Sequence, residues 1–421
     1  MSKASRPSFV FILADDLGYA DLGCYGSRSN CSPGLDRIAA DGLRFTDGYA
    51  NSAVCSPTRF ALATGRWQYR LRGGADEPIA SRTARGNPAL GLPPGHPTLA
   101  SLLRDSGYAT ALVGKWHLGF PPHFGPLKSG YQEFFGPMSG GVDYFTHCDS
   151  AGTHDLYHGE KEVHRTGYLT DLLTEEAISF VKRVKSKPFF LSLHYTAPHW
   201  PWETRADAEE SRRIGNISHH DGGSVQTYLE MIRAMDEGIG RLMSDLGENT
   251  LVVFTSDNGG ERFSDTWPLV GSKMDLLEGG IRVPYIVRWP KGGVLPQLAI
   301  TMDWVATFLD AADVAPHPDY PLDGVSLLKE HPGRELFWRM KFRDQKAMRS
   351  GMWKWLSIEG NEFLFDLSRD QRERANLAKR DAQRFEDMRR RYRAWEESMP
   401  AIPDDAKVSL IGGPQEMAKP S

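Results

Sequence analysis

Cysteine is scarce in this chain, 4 in 421 residues, and Cys24, Cys31, Cys55 and Cys148 form no Cys-x-x-Cys pair. That spacing argues against a structural zinc site. Free thiols in a reducing cytoplasm are the default expectation, with the periplasm or secretion if an export signal has been trimmed. No apolar run is long enough to span a bilayer. The run Phe9 to Leu13, close behind Met1-Ser2-Lys3, is too short for a signal-peptide core and has no small-residue cleavage site after it. An excess of one charge is also missing: the net charge is -4 and the pI near 6.4, so neither nucleic acid nor a membrane is expected as a partner. Internal repeats and low-complexity tracts are absent too.

What is present is an ordinary globular balance, 40% hydrophobic, 11% aromatic and 25% charged, enough for a sizeable core. The length predicts one large domain with a smaller appendage. Phe9 to Ala14 reads as a fully buried strand ending in two carboxylates. Ala109 to Val113, Pro188 to Tyr195 and Leu251 to Thr255 read as further strands. Pro33 to Gly42, Pro57 to Thr64, Thr98 to Gly107, Tyr168 to Lys185 and Tyr228 to Leu246 read as helices, Pro57 suiting a first turn. The alternation predicts an α/β fold: a large, mixed, mostly parallel sheet sandwiched by helices over residues 1–320. A smaller subdomain over 321–421 should carry antiparallel strands. Lys346 to Ile358 and Glu362 to Leu367 form its hairpin around Glu359-Gly360-Asn361. A charged helix, Asp381 to Glu397, with a solvated face precedes a tail containing Pro400, Pro403 and Pro414. The Gly-, Pro- and His-rich stretches 71–97 and 119–165 read as long loops, candidates for pocket walls.

Chemistry-bearing residues gather just past the predicted strand ends, where α/β sheets bind ligands. Asp15-Asp16 and Asp257-Asn258 offer hard oxygen atoms, which suit Ca²⁺ or Mg²⁺ better than zinc. Each pair alone is also what a strand-end turn or cap would contain. Lys115 and His117 stand two apart at a strand end and so point the same way. His199 lies in Ala197-Pro198-His199-Trp200-Pro201, and Lys273 shortly precedes Glu278-Gly279-Gly280-Ile281-Arg282-Val283-Pro284. Cys55 opens Cys55-Ser56-Pro57-Thr58-Arg59; alone it would read as a buried small apolar residue. Arg59 lies one helical turn on, on the same face as Cys55, and could hold either the group at Cys55 or the adjacent carboxylates.

Taken together and in this order, from about residue 8 to residue 380, these motifs resemble the type I, formylglycine-dependent sulfatases, arylsulfatase-like members of the alkaline phosphatase superfamily. The resemblance implies that a formylglycine-generating maturation enzyme oxidises Cys55, whose hydrate becomes the catalytic nucleophile. Asp15, Asp16, Asp257, Asn258 and the oxygen derived from Cys55 would hold one divalent ion, calcium with magnesium possible. Lys115 would contact sulfate oxygens and His117 take a proton from the hydrate. His199 and Lys273 would contact sulfate and help protonate the leaving oxygen. Asn258 separates this pattern from the related two-zinc phosphatases, which generally carry histidine there. Gly34 departs from the family's more usual asparagine. Three aspartates against Arg59, Lys115 and Lys273 sum to zero, so a divalent ion would make the site +2, suited to an anionic ester.

The implied reaction is hydrolysis of a sulfate monoester, aryl or carbohydrate, on a sulfated small molecule or saccharide. Two alternatives stay open: a phosphonate monoester or phosphodiester hydrolase on the same scaffold, and an anion- or glycan-binding protein whose Cys55 never matures. Cys24, Cys31 and Cys148 are expected to pack, and His194 to be core or support. His147, His154, His158 and His164 are expected in a pocket or at the surface rather than in a second metal site. Trp200 and Trp202 suggest an apolar or sugar-stacking wall. Asp143, Tyr144 and His147 are weaker candidates for reaching the leaving group.

Overall fold

The computed structural model describes residues 6–214, 223–289 and 296–409; the sequence expectations touching Met1 to Ser5 and Pro414 lie outside the described residues. In chain order the strands are β1 (Ser8–Ala14), β2 (Leu43–Phe45), β3 (Gly48–Tyr49), β4 (Ala109–Gly114), β5 (Glu133–Gly136), β6 (Tyr157–His158), β7 (Lys161–Glu162), β8 (Phe189–His194), β9 (Thr250–Ser256), β10 (Tyr285–Arg288) and β11 (Ala299–Ile300). The last four are β12 (Glu335–Met340), β13 (Gln345–Ser350), β14 (Trp353–Ile358) and β15 (Asn361–Asp366).

One sheet of nine strands runs in the order β2-β10-β9-β1-β8-β4-β5-β6-β7. Its centre, β9-β1-β8-β4-β5, is parallel, and β10 and β6 join antiparallel on either side. Because β1 is covered on both faces, it needs apolar residues at every position rather than at alternate ones. Val10, Ile12 and Ala14 enter one core, shared with residues of the helices Pro33–Asp41, Leu169–Val184 and Val225–Met243. Phe9, Phe11 and Leu13 enter the other, with residues of the helices Cys55–Thr64, Leu99–Asp105 and Asp303–Ala312. The alternation of side chains along the strand thus makes a helix–sheet–helix sandwich.

The stretch expected as a single strand, Lys346 to Ile358, is two strands: Gly351, at φ +55°, turns β13 into β14. With β12, which sequence reading missed, and β15 they form a four-stranded antiparallel sheet. Ile358 pairs with Asn361, so the β14–β15 turn is Glu359-Gly360, both at positive φ, as a two-residue hairpin loop requires. The helix Ala382–Glu397 is charged, yet Met388 and Tyr392 are buried against Met348, Trp355 and Leu364. The sheet's other face brings Leu336, Trp338, Ala347 and Phe365 into a core with Tyr49, Val54, Leu276 and Ile281. This second sheet therefore packs against the segments that flank Cys55 and Lys273.

Three further expectations are corrected. The helix expected at Pro57 begins at Cys55. That at Tyr228 begins at Val225, capped by the Ser224 hydroxyl, which accepts from the Thr227 amide at 3.0 Å. The stretch 119–165 is not all loop, since it carries β5 with Phe134 and Phe135 buried, and the β6–β7 hairpin.

Candidate active site

Register carries the site residues to one sheet edge. Ala14 pairs with Ser256 and Gly114 with His194. Asp15-Asp16, Asp257-Asn258 and Lys115 are the next residues along three strands, and His199 lies five residues beyond β8. The helix Cys55–Thr64 starts at the same place, its positive dipole end at Cys55 with no acidic residue in its first turn. All ten proposed site residues, Asp15, Asp16, Cys55, Arg59, Lys115, His117, His199, Asp257, Asn258 and Lys273, are buried.

Arg59 donates from Nε and a terminal nitrogen to Asp257 Oδ2 at 3.0 and 2.7 Å, and lies 3.7 Å from Asp15 Oδ1. It therefore holds carboxylates together, and a third donation, to the Lys115 carbonyl at 3.0 Å, fixes the strand end. Lys115 Nζ donates to Asp15 Oδ2, and Lys273 Nζ to Asp16 Oδ2, each at 2.6 Å. Asn258 Nδ2 donates to Asp16 Oδ1 at 2.7 Å. Cys55 Sγ stands 3.9 Å from that same oxygen, and His199 Nε2 3.6 Å from Asp16 Oδ2. One ligand atom each from Asp15, Asp16, Cys55 and His199 lies within 4.8 Å of the others.

Crowding of buried charge shows in the titration behaviour. Burial and the neighbouring Asp257 push the Asp15 carboxyl up to about 8 against the pull of Lys115. Burial also acts to raise Asp16, but Lys273 and His199 overcome it and hold that carboxyl low. Burial opposes charge on Lys273 as well, yet Asp16 wins and keeps the ammonium firmly protonated. For Cys55, burial outweighs Lys115 and Lys273 and pushes the thiol well up. A thiolate nucleophile is therefore disfavoured here.

Hydrogen bonds set the tautomers of the two histidines. The His117 Nε2–H donates to the Ile79 carbonyl at 2.8 Å, leaving Nδ1 as a buried lone pair without a partner among the described residues. The His199 Nδ1–H donates to the Trp200 carbonyl at 2.6 Å, so Nε2 faces Asp16. Burial, then Lys115 for His117 and Lys273 for His199, holds both rings well below the usual imidazole range. Asp16 and His117 also sit in the left-handed backbone region, at φ +63° and +58°. Strain of this kind persists only where the surroundings over-determine it.

Several supporting residues carried no usable sequence signal. A Cβ on Gly140 would lie 2.4 Å from His117 Cε1, and one on Gly141 3.0 Å from His199 Cε1, so this pair lies directly on both rings. Asp155 pins that loop by accepting from the Ser139 amide at 2.7 Å. The Tyr144 hydroxyl donates to the His199 carbonyl at 2.9 Å. Tyr144 thus supports His199 from behind rather than reaching a leaving group. The Asp143 carboxylate is occupied by the Ser211 hydroxyl and the amides of Phe145 and Thr146. His194 proves a support: its ring meets the Lys115 carbonyl at 3.1 Å and the Ser192 hydroxyl at 2.8 Å. Trp200 packs on the His199 ring, while Trp202 packs on Phe263 beneath Arg262, and both are buried. His154, Glu162 and His164 do cluster near the surface, but both ring nitrogens of His154 face backbone carbonyls. Cys24, Cys31 and Cys148 are free thiols, Cys31 buried and the other two half-buried, with Cys148 joined to His154 by a β-bridge.

Comparison with known proteins agrees with this geometry. A family model described as Sulfatase matches residues 7–314. N-acetylgalactosamine-6-sulfatase of Canis lupus familiaris is 34% identical over 364 residues, 78% of this chain and 67% of that protein. Arylsulfatase A of Homo sapiens is 31% identical over 408 residues, 84% of this chain and 75% of that one. The chain spans about two thirds of the length of the N-acetylgalactosamine-6-sulfatases it matches. Among solved structures, Ps i-CgsB in complex with k-i-k-neocarrahexaose superposes with a TM-score of 0.82 at 30% identity, covering 94% of each chain.

Proposed function

The chain belongs to the sulfatase family of sulfuric ester hydrolases, and from that premise we propose that it cleaves a sulfate monoester with a formylglycine hydrate made from Cys55 and one divalent ion. The observation that carries the reading is Cys55 itself: buried at a helix N-terminus, 3.9 Å from the Asp16 carboxylate and coupled electrostatically to Lys115 and Lys273. A maturation enzyme that oxidises Cys55 is the partner this requires.

The residues fit a hard cation. Among the described residues, Asp15 Oδ1 and Asn258 Oδ1 are buried oxygen atoms without hydrogen-bond partners, and with Asp16 and Asp257 they would form an all-oxygen donor set that suits calcium, or magnesium, better than zinc. When present, the ion supplies positive charge toward the ester's anionic oxygens and the formylglycine hydrate supplies an oxygen nucleophile toward sulfur. The protein's own residues do the rest. Lys115 and Lys273 bring two ammonium groups to the carboxylates at the centre and bind the sulfate oxygens. His117 Nδ1, neutral and free to accept, takes a proton from the hydrate. Lys273, held protonated beside Asp16, donates toward the leaving oxygen with His199 Nε2 next to it. Arg59 keeps Asp15 and Asp257 together against their mutual repulsion.

A sulfated saccharide is the favoured substrate class, with aryl sulfates as surrogates. N-acetylgalactosamine-6-sulfatase bears a saccharide in its name, and Ps i-CgsB was seen with k-i-k-neocarrahexaose. The test is a set of side-by-side rates on matched aryl sulfate, phosphonate monoester and phosphodiester substrates, then on sulfated saccharides. Sulfate esters should turn over fastest, and Cys55→Ala should abolish turnover. A clear preference for phosphorus esters would replace this reading with the hydrolase alternative.

A further inference from the structure

We propose that Gln345, the first residue of β13, is a positioning residue for Lys273, making the four-stranded C-terminal sheet part of the catalytic apparatus. The inference rests on the role given to Lys273 above. Lys273 lies outside any helix or strand, yet its ammonium meets Asp16 at 2.6 Å. Its own amide donates to the Gly260 carbonyl at 3.0 Å, and the Met274 amide donates to the Ala53 carbonyl at 2.8 Å, two residues before Cys55. Met274 sits at φ +75°, a conformation a residue with a side chain holds only when its surroundings enforce it.

Gln345 supplies that enforcement. Its side chain is fully buried. Nε2 donates to the Met274 carbonyl at 2.8 Å and the Phe342 carbonyl at 3.2 Å, while Oε1 accepts from the Leu276 amide at 2.9 Å. A side-chain amide offers two N–H donors and a carbonyl acceptor at one terminus, all engaged by these three bonds. The next strand adds a second hold. Lys354 Nζ, on β14, donates to the Leu276 carbonyl at 2.7 Å and pairs with Glu278 at 3.0 Å and Glu373 at 2.7 Å. Glu373 also accepts from the Glu278 amide at 2.6 Å. Met274, Leu276 and Glu278 are thus gripped from the C-terminal side, while Met274 also ties to the turn that presents Cys55. Releasing Gln345 frees Met274 to leave its strained conformation, and the Lys273 ammonium moves with it.

The experiment is a double-mutant cycle in the matured enzyme, with Gln345→Met deleting both donor and acceptor and Lys273→Met deleting the ammonium. Gln345→Met alone should lower kcat on a sulfate ester with a poor leaving group about 10–100-fold, while KM changes less than about threefold. In the Lys273→Met background the same change should cost less than about threefold, because its effect passes through Lys273. Equal losses in both backgrounds, or a lowered Tm with kcat unchanged, would reduce Gln345 to a structural role and overturn the proposal. Near-wild-type turnover by Lys273→Met alone would instead refute the role assigned to Lys273, a distinct failure. Should Gln345→Met not fold, Gln345→Glu carries the same cycle, since it keeps the acceptor and loses the donor. Faster amide hydrogen exchange of the 274–278 peptide is expected in either variant, and unchanged exchange would contradict the clamp.

Discussion

Gly140→Ala offers a sharp test of how tightly the His117 ring is placed. The added methyl would sit 2.4 Å from Cε1 and 2.6 Å from Nε2 of His117. Restoring an ordinary 3.4 Å contact needs a displacement of about 1 Å. Neither side yields easily. The ring is fixed by its bond to the Ile79 carbonyl at 2.8 Å and by the His117 amide's bond to the Met138 carbonyl at 3.0 Å. The loop is pinned by the Asp155 carboxylate at the Ser139 and Met138 amides. A 1 Å misplacement of a catalytic group costs roughly 10²-fold in rate, or about 2.7 kcal/mol of barrier. Overpacking of this kind also costs about 1–3 kcal/mol of stability. The assay is kcat on an aryl sulfate with matured enzyme, alongside calorimetric Tm. Gly240→Ala serves as control, since among the described residues nothing lies within 4 Å of a Cβ there; in a helix interior it should be neutral or slightly stabilising with kcat unchanged. A Gly140→Ala enzyme with kcat within about threefold of wild type would refute the claim that His117 placement limits the rate.

Chelation should abolish turnover, with calcium or magnesium restoring it better than zinc, and Asn258→Leu should raise the calcium needed for half-maximal rate at least about tenfold; full activity after metal stripping would contradict the donor set. Burial and the neighbouring Asp143 push the Glu203 carboxyl up to about 9. A carboxyl so raised holds its proton in the folded state after the unfolded chain has lost it. Its stabilising contribution is complete below the ordinary glutamate range and declines until pH reaches about 9. Denaturation between pH 5 and 9 should therefore show stability falling with a slope of up to about 1.4 kcal/mol per unit from this group, and Glu203→Gln should flatten it. Lys354→Met takes from buried Glu373 its ion-pair partner, while Glu278 keeps Arg282 at 3.4 Å; chemical denaturation should show a loss of about 3 kcal/mol.

What could be read from sequence follows from burial. β1 and β9 are covered on both faces, so they appear as unbroken apolar runs, and the polar residues that end them mark the sheet edge where ligands bind. The paired carboxylates and Lys115/His117 were legible for that reason, whereas Cys55 opens a helix and was singled out only by the family resemblance of its motif. β5 is a four-residue strand inside a Gly-, Pro- and His-rich stretch, too short to show a period. The β13–β14 turn was hidden because Gly351 stands in a run that otherwise reads as continuous strand. Asp16, His117 and Met274 adopt positive φ although none is glycine, and no local residue type announces that. Gln345 acts on backbone 69 and 71 positions away, a relation set by tertiary packing alone. Tyr144 and Asp143 were misjudged because their loop was visible but the direction of its side chains was not.

The central claim is that Cys55 works as an oxygen nucleophile, and the mass of the peptide containing it tests that claim most directly. Protein produced together with a formylglycine-generating enzyme should yield this peptide with an aldehyde in place of the thiol, in proportion to sulfatase activity across preparations. An intact cysteine in fully active protein would contradict the account.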